Sequence, residues 1–292
     1  MEFAQRMLLV HAHPDDETIN NGATMAKYVA AGAHVTLVTC TRGEEGEVLV
    51  PELAHLASSQ HDQLGAHREI ELANAMKELG VTDHRFLGVP AKRWRDSGMM
   101  GTEPNNRSDV FWQADLDEAA LELVKIILEI KPQVLITYDE FGGYGHPDHI
   151  QAHRVAMRAA ELAQDSSKTG GATWEISKIY WNTMPRSVIE ESMKKMKEIG
   201  SDFFGAETVD DLPFVKPDEL VTTMVDGTKF IEQKMAAMRA HPTQITLDGP
   251  FFALSNNLGN SVWGNEYYTL VKGKKSEPFD AKGNESDLFA GI

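Results

Sequence analysis

Residues 6–17 read Arg6-Met-Leu-Leu-Val-His11-Ala-His13-Pro14-Asp15-Asp16-Glu17, and this stretch decides the fold. Its first half is a short apolar run ending at a proline turn, the pattern of a strand buried on both faces. Two histidines and three carboxylates follow. Ile19, Ala23, Ala26 and Ala30 then recur at near-helical spacing, and Gly32 supplies a stop signal, so a helix is expected over 18–31. Strand, polar turn and helix make the first half of a βαβ unit. A dinucleotide-binding domain would carry a glycine-rich turn where His11–Glu17 stand, so a pyrophosphate cradle and hydride chemistry are excluded.

Outward from this stretch the alternation repeats. Strands are expected at 35–40, 85–87 and 133–138, and helices over 61–79, 116–129 and 150–163. The fold class is α/β, Rossmann-like, with a mostly parallel sheet flanked by helices. Residues 88–115 form a long irregular stretch, and Trp94, Met99, Met100, Phe111 and Trp112 mark it as an ordered, functional loop. Beyond a polar segment after Asp165 the expected elements are a strand at 179–181, helices over 188–199 and 227–241, and a strand at 267–271. The expected organisation is a catalytic core over 1–165, a smaller C-terminal α/β portion over 166–271 that completes the domain, and a loose polar tail over 272–292.

The chain has 292 residues, a formal net charge of −16 and no basic tract, which opposes binding to nucleic-acid phosphates. An acidic surface suits a soluble protein acting on a neutral or cationic small molecule. The N-terminal apolar run is too short for a signal peptide, and no stretch approaches a membrane span, so a cytoplasmic protein without a membrane partner is expected. A single cysteine, Cys40, excludes an internal disulfide and a thiolate metal cage; it reads as a buried strand residue.

A second cluster, Tyr144-Gly-His146-Pro147-Asp148-His149, follows the strand at 133–138. Ligands of open parallel sheets bind outside the carboxyl ends of the strands, so the two clusters can meet at one sheet edge. Pro14 and Pro147 push the residues before them toward extended backbone, which aims His13 and His146. A catalytic zinc site takes three N/O ligands and keeps a position open for water; His13, Asp16 and His149 make such a set. Metal binding lowers the pKa of water from about 15.7 toward about 7. Asp15 is then placed to take the proton and return it to a leaving amine. His146 and Tyr144 would stabilise an oxyanion, and Asp148 would orient an imidazole. The same ligand set accepts iron or cobalt.

Blander readings compete. Either cluster alone reads as helix capping, with Asp16 an N-cap, Glu17 a charge complementing the helix dipole, His11 a strand residue beneath the site and His153 structural. Both clusters at strand ends together carry the functional reading. A phosphohydrolase would show more carboxylate ligands or a basic clamp. A non-catalytic sugar- or metal-binding module would lack the carboxylate that Asp15 provides.

The pair AHPDDE (12–17) and GYGHPDH (143–149) resembles the PIG-L/LmbE-like family of zinc-dependent de-N-acetylases. The likeness extends to VTCTRGEEGEV, RWRDSGMMGT and VLITYDEFGGYGHPDHIQAH, and NLGNSVWGNEYY at 257–268 is compatible with it. The resemblance implies one Zn2+ per subunit on His13, Asp16 and His149, with Fe2+ or another divalent ion as substitute, Asp15 as general base, and His146 and Tyr144 around the tetrahedral intermediate. It also puts Arg68, Asp96 and Glu47 on the substrate and makes RWRDSGMMGTEPNN a recognition loop. The implied substrate is an amino sugar, the acetylated glucosaminyl-inositol of mycothiol biosynthesis; the rival within the family is an amidase of mycothiol S-conjugates.

Overall fold

In a computed structural model of the chain the described residues are 4–198, 200, 203, 205–247 and 264–292. Strand β1 (Arg6–His11) runs between two parallel neighbours, β2 (His34–Thr39) and β4 (Val134–Thr137), with Leu9 opposite Leu37 on one side and Ile136 on the other. β3 (Asp83–Phe86) continues the parallel sheet beyond β2, and β5 (Lys178–Asn182) continues it beyond β4.

Side chains of β1 alternate between the two faces, as a pleated strand requires. Leu8 and Val10 pack against α3 (Leu116–Ile130) and α5 (Pro147–Leu162), through Leu123, Ile127, Val155 and Ala159. Met7 and Leu9 pack against α1 (Asp16–Ala30) and α2 (Leu64–Leu79), through Met25, Leu72 and Met76. The expected parallel sheet with helices on both faces is therefore what forms. From β1 the chain winds outward to β3 and then returns to β4 on the other side. The β1/β4 junction is thus a topological switch point, where the two outgoing turns diverge and leave a crevice.

Between β4 and α5 lies a single kinked turn, α4 (Gly142–Gly145). After β5 come the two-residue strands β6 (Met184–Pro185) and β7 (Val215–Lys216), with α6 (Arg186–Glu198) between them. Then follow β8 (Thr223–Asp226), α7 (Ile231–Arg239) and β9 (Asn265–Lys272). The main sheet has the order β3-β2-β1-β4-β5-β9-β8, with β9 antiparallel to both neighbours.

The helix expected over 150–163 begins three residues earlier, because Pro147 occupies its first position, where a missing N–H has no consequence. The helix expected over 227–241 splits into a 3-10 turn, Thr228–Phe230, and α7. The loose tail expected from 272 is corrected. Glu285, Leu288 and Phe289 are buried, and the Glu285 carboxylate accepts hydrogen bonds from Lys178 and Tyr180 of β5. Polar composition concealed a segment in which Glu285 answers a buried lysine and the apolar end joins the core. No helix among the described residues is long and apolar enough to cross a membrane.

Candidate active site

Where β1 ends, the backbone N–H groups of Cys40 and Thr41 bond to the carbonyls of His11 and Ala12, which extends the strand pairing to the lip of the crevice. The chain then turns at Asp15, which has φ 124° and ψ −35°. Such a conformation in a non-glycine residue costs on the order of 1–3 kcal/mol and persists only where neighbours over-determine it. Here they do. The Glu17 carboxylate accepts the Asp15 N–H at 2.9 Å, while Arg68 donates to the Pro14 carbonyl and, at 3.1 Å, to the Asp15 carboxylate. Arg68, a charge on a polar helix face in the sequence, is buried and reaches Asp15 beneath the loop of residues 43–46. A Cβ on Gly43 would stand 1.9 Å from its Nη1, and one on Gly46 2.9 Å, so both glycines form the cradle for the guanidinium.

The second turn is built on Asp139, whose Oδ1 accepts the N–H groups of Phe141 and Gly143. Gly142 has φ 65°, and a Cβ there would stand 2.6 Å from the Cβ of His149. This close approach lets His149 Nδ1 donate to the Gly142 carbonyl at 3.1 Å. His146 caps α5, its Nδ1 accepting the Asp148 N–H at 3.1 Å, so the ring proton sits on Nε2. Burial, with His13 and His149 nearby, pushes the His146 pKa down to about 2, which keeps the ring neutral.

The two turns meet. Asp16 Oδ2 lies 3.5 Å from His13 Nδ1 and 3.4 Å from His149 Nε2. The ring centroids of His13, His146 and His149 are 4.6–5.2 Å apart, and their ligand atoms lie within 4.8 Å of one another. His149 Nε2 is buried without a hydrogen-bond partner. Asp148, fully buried, receives His13 Nε2 at 3.2 Å and is fixed by the backbone and hydroxyl of Ser97. His13 Nδ1, His149 Nε2 and Asp16 Oδ2 therefore present lone pairs toward one another, an arrangement that a cation relieves. The donor set fits a metal ion, and each imidazole has its other nitrogen oriented, by Asp148 or by Gly142. Burial alone would lower the His13 pKa, but Asp96, Asp148 and Asp16 outweigh it and raise it well above the usual range: they draw positive charge to this point, which a second ring proton supplies wherever a cation does not. Burial pushes the Asp15 carboxyl up to about 6, against the pull of Arg68.

His13, Asp15, Asp16, His146 and His149 line a cavity of about 710 Å³, together with Tyr144, Arg68, Asp96 and Glu47. Tyr144 stands partly exposed at the mouth, its ring 5.0 Å from that of His149. Glu47 is exposed at the rim, where its carbonyl accepts Gln244 Nε2. Asp96 is tied down: it accepts the N–H groups of Gly98 and Glu45 and lies 3.6 Å from His13 Nε2. The loop expected to be functional thus supplies Asp96, Ser97, Gly98 and Met99 to the site or its support.

Sequence reasoning missed Tyr138 and His241 and misread Glu17. Tyr138 takes the Ala12 N–H on its hydroxyl and stacks on His149 at 4.3 Å; it ends the β4 run, so the strand-end rule that exposed the clusters would have reached it. Glu17, read as a dipole charge, is fully buried and bonded to His241, for which no local motif exists. His11 is the strand residue expected beneath the site, bonded to Asn21 and Tyr138. The 257–263 part of NLGNSVWGNEYY lies outside the described residues.

The chain is 61% identical over 99% of its length, and 90% of the relative's, to the 1D-myo-inositol 2-acetamido-2-deoxy-alpha-D-glucopyranoside deacetylase 1 of Catenulispora acidiphila. Among solved structures it is similar to the N,N'-diacetylchitobiose deacetylase of Pyrococcus horikoshii, with a TM-score of 0.60, 20% identity, and coverage of 92% of this chain and 84% of that one. It is also similar to the 4-carboxy-2-hydroxymuconate hydratase GalB, with a TM-score of 0.62, 17% identity, and coverage of 94% and 100%. A deacetylase and a hydratase on one scaffold show that the fold alone does not assign the reaction. Residues 8–160, which hold both turns, match the family described as PIG-L: GlcNAc-PI de-N-acetylase, and the chain belongs to that family.

Proposed function

We propose that this chain hydrolyses the N-acetyl amide of 1D-myo-inositol 2-acetamido-2-deoxy-α-D-glucopyranoside, releasing acetate and the free amine, as a cytoplasmic step of mycothiol biosynthesis. The reading is supported by relatives that carry this activity in their names at about 60% identity over the full chain. The single observation in the molecule that carries it is the buried, unpartnered His149 Nε2 facing Asp16 and His13.

In this reading His13, Asp16 and His149 hold one zinc ion. An ion bound there would supply a Lewis acid and bring the pKa of water down toward about 7. Asp15 takes a proton from the attacking water as its oxygen bonds to the acetyl carbon. It then delivers that proton to the amine nitrogen as the C–N bond breaks. A carboxyl lifted to about 6 suits both halves of the transfer. His146 Nε2–H and the Tyr144 hydroxyl donate to the carbonyl oxygen as it gains charge. Asp148 keeps His13 in the tautomer that leaves Nδ1 a lone pair. Glu47 at the rim and Asp96 and Arg68 in the wall meet the saccharide.

The test pairs metal analysis with rates on the acetylated pseudodisaccharide and on a mycothiol S-conjugate. Zinc near one per chain and faster acetate release support the assignment; faster cleavage of the conjugate makes the chain an amidase, and iron as the activating metal replaces zinc.

A further inference from the structure

His241 lies 224 residues from Glu17, beyond the end of α7, yet it is fully buried and its Nε2 is 3.0 Å from Glu17 Oε1. The segment that carries it is anchored on both sides. Glu71 of α2 accepts both the N–H and the hydroxyl of Thr243, the Thr243 carbonyl accepts the Leu49 N–H, and Gln244 bonds to the Glu47 carbonyl. His241 thus has a fixed approach to α1. Glu17, also fully buried, divides its two oxygens. Oε1 receives His241 and the Thr18 hydroxyl, and Oε2 receives the backbone N–H of Asp15.

A buried carboxylate needs its lone pairs filled, and a rotation of Glu17 that lost His241 would also move Oε2. That oxygen is the acceptor for the strained turn at φ 124°, and this turn aims the Asp15 carboxylate into the cavity. Arg68 holds the same residue by its side chain. Asp15 is therefore gripped at two points, and one of them, Glu17, is itself braced by a residue from the C-terminal half of the chain.

We propose that His241, acting through Glu17, is a positioning residue for Asp15: it locks the carboxylate whose Oε2 fixes the Asp15 backbone, and so sets the direction in which Asp15 meets the attacking water. This rests on the reading of Asp15 as the proton acceptor. A purely structural ion pair would affect stability alone. A positioning role affects kcat while leaving KM and metal content in place.

The full-length, zinc-loaded enzyme is assayed on the acetylated pseudodisaccharide as wild type and as His241→Leu, His241→Gln, Glu17→Gln and Asp15→Asn. His241→Leu, which fills similar space without a donor, is expected to lower kcat roughly 10- to 100-fold, the scale of a small misplacement of a reacting group, with KM and zinc per chain unchanged. His241→Gln, whose amide places an N–H where the imidazole has one, recovers most of that loss. Equal kcat for the Leu and Gln variants overturns the proposal, as does a loss confined to KM or to zinc content. If His241→Leu does not fold, Glu17→Gln decides: it keeps the shape and removes one acceptor, so a kcat loss at constant KM supports the proposal and a wild-type kcat overturns it. Asp15→Asn separates the two layers. Wild-type turnover in that variant refutes Asp15 as the base, whereas lost turnover there beside unimpaired His241 and Glu17 variants refutes the positioning role alone.

Discussion

His13-Pro14-Asp15 leaves β1, and His146-Pro147-Asp148 enters α5. In the first, the residue after proline is thrown to φ 124°, and its carboxylate lines the cavity while Arg68 and Glu17 hold it. In the second, the residue after proline is already helical and fully buried, turned back onto His13 and Ser97. The histidines differ as well. His13 has Asp148 on one nitrogen and the lone pairs of the site on the other, whereas His146 uses Nδ1 to cap its helix. One tripeptide thus yields a candidate ligand and an outward acid in one turn, and a cap and an inward support in the other. The φ of the third residue decides which, and the surrounding contacts decide the φ.

The largest effect expected from breaking this comparison is on the histidines. His13→Ala should strip the metal and reduce turnover to background, while His146→Ala should keep the metal and lose turnover by roughly 10²–10³, the scale of one oxyanion donor. Elemental analysis beside single-substrate rates checks both; full metal occupancy in His13→Ala removes it from the ligand set.

Next come the two aspartates. Asp15→Asn should keep the metal and lower kcat by roughly 10²–10⁴, the usual contribution of a general base. Asp148→Asn should instead weaken metal affinity about 10- to 100-fold, as a lost orienting partner does, with a milder loss once metal is in excess. Competition with a chelator separates the two. Matching metal affinities for the pair would show that the turns are used alike.

Most of this contrast was legible at the level of which residues come together, because both clusters follow apolar strand runs and parallel sheets collect such turns at one edge. The β1/β4 junction is the expected edge. What the letters did not carry was direction. The local letters do not state that Asp15 takes a left-handed φ, since Glu17 imposes it only together with Arg68 and His241, 53 and more than 200 residues away. The burial of Arg68 beside Asp15 was not legible either, because the two glycines that admit it, Gly43 and Gly46, lie in a separate loop. The tail misled for a similar reason: Glu285 reads as one more surface acid until Lys178 is seen buried beneath it.

Gly43→Ala sharpens the comparison at a smaller scale. Its φ of 67° disfavours any side chain, and the new Cβ would meet Arg68. Displacing the guanidinium frees the Asp15 carboxylate on one side, so kcat should fall by about tenfold with metal content unchanged, a fraction of the orientation effect seen when a reacting group shifts. The aspartate of the second turn is held by Ser97 instead, so this substitution leaves Asp148 in place. Loss of metal in place of turnover would place Arg68 on the ligands instead of on Asp15.

The smallest difference is between the prolines. Pro147 sits at the first position of α5 with its φ already helical, so Pro147→Ala removes only a restriction on the unfolded chain, about 0.4–1 kcal/mol. Calorimetry should show this as a drop in Tm of about 1–3 °C. Pro14 restricts the unfolded chain equally, but it also restricts His13 and precedes the strained Asp15. Pro14→Ala should therefore lower Tm by a similar amount and kcat several-fold besides, since the turn then has conformations in which Asp15 faces away. If both substitutions moved Tm alone, the strain at Asp15 would be held wholly by Arg68 and Glu17, and proline would be incidental to the first turn.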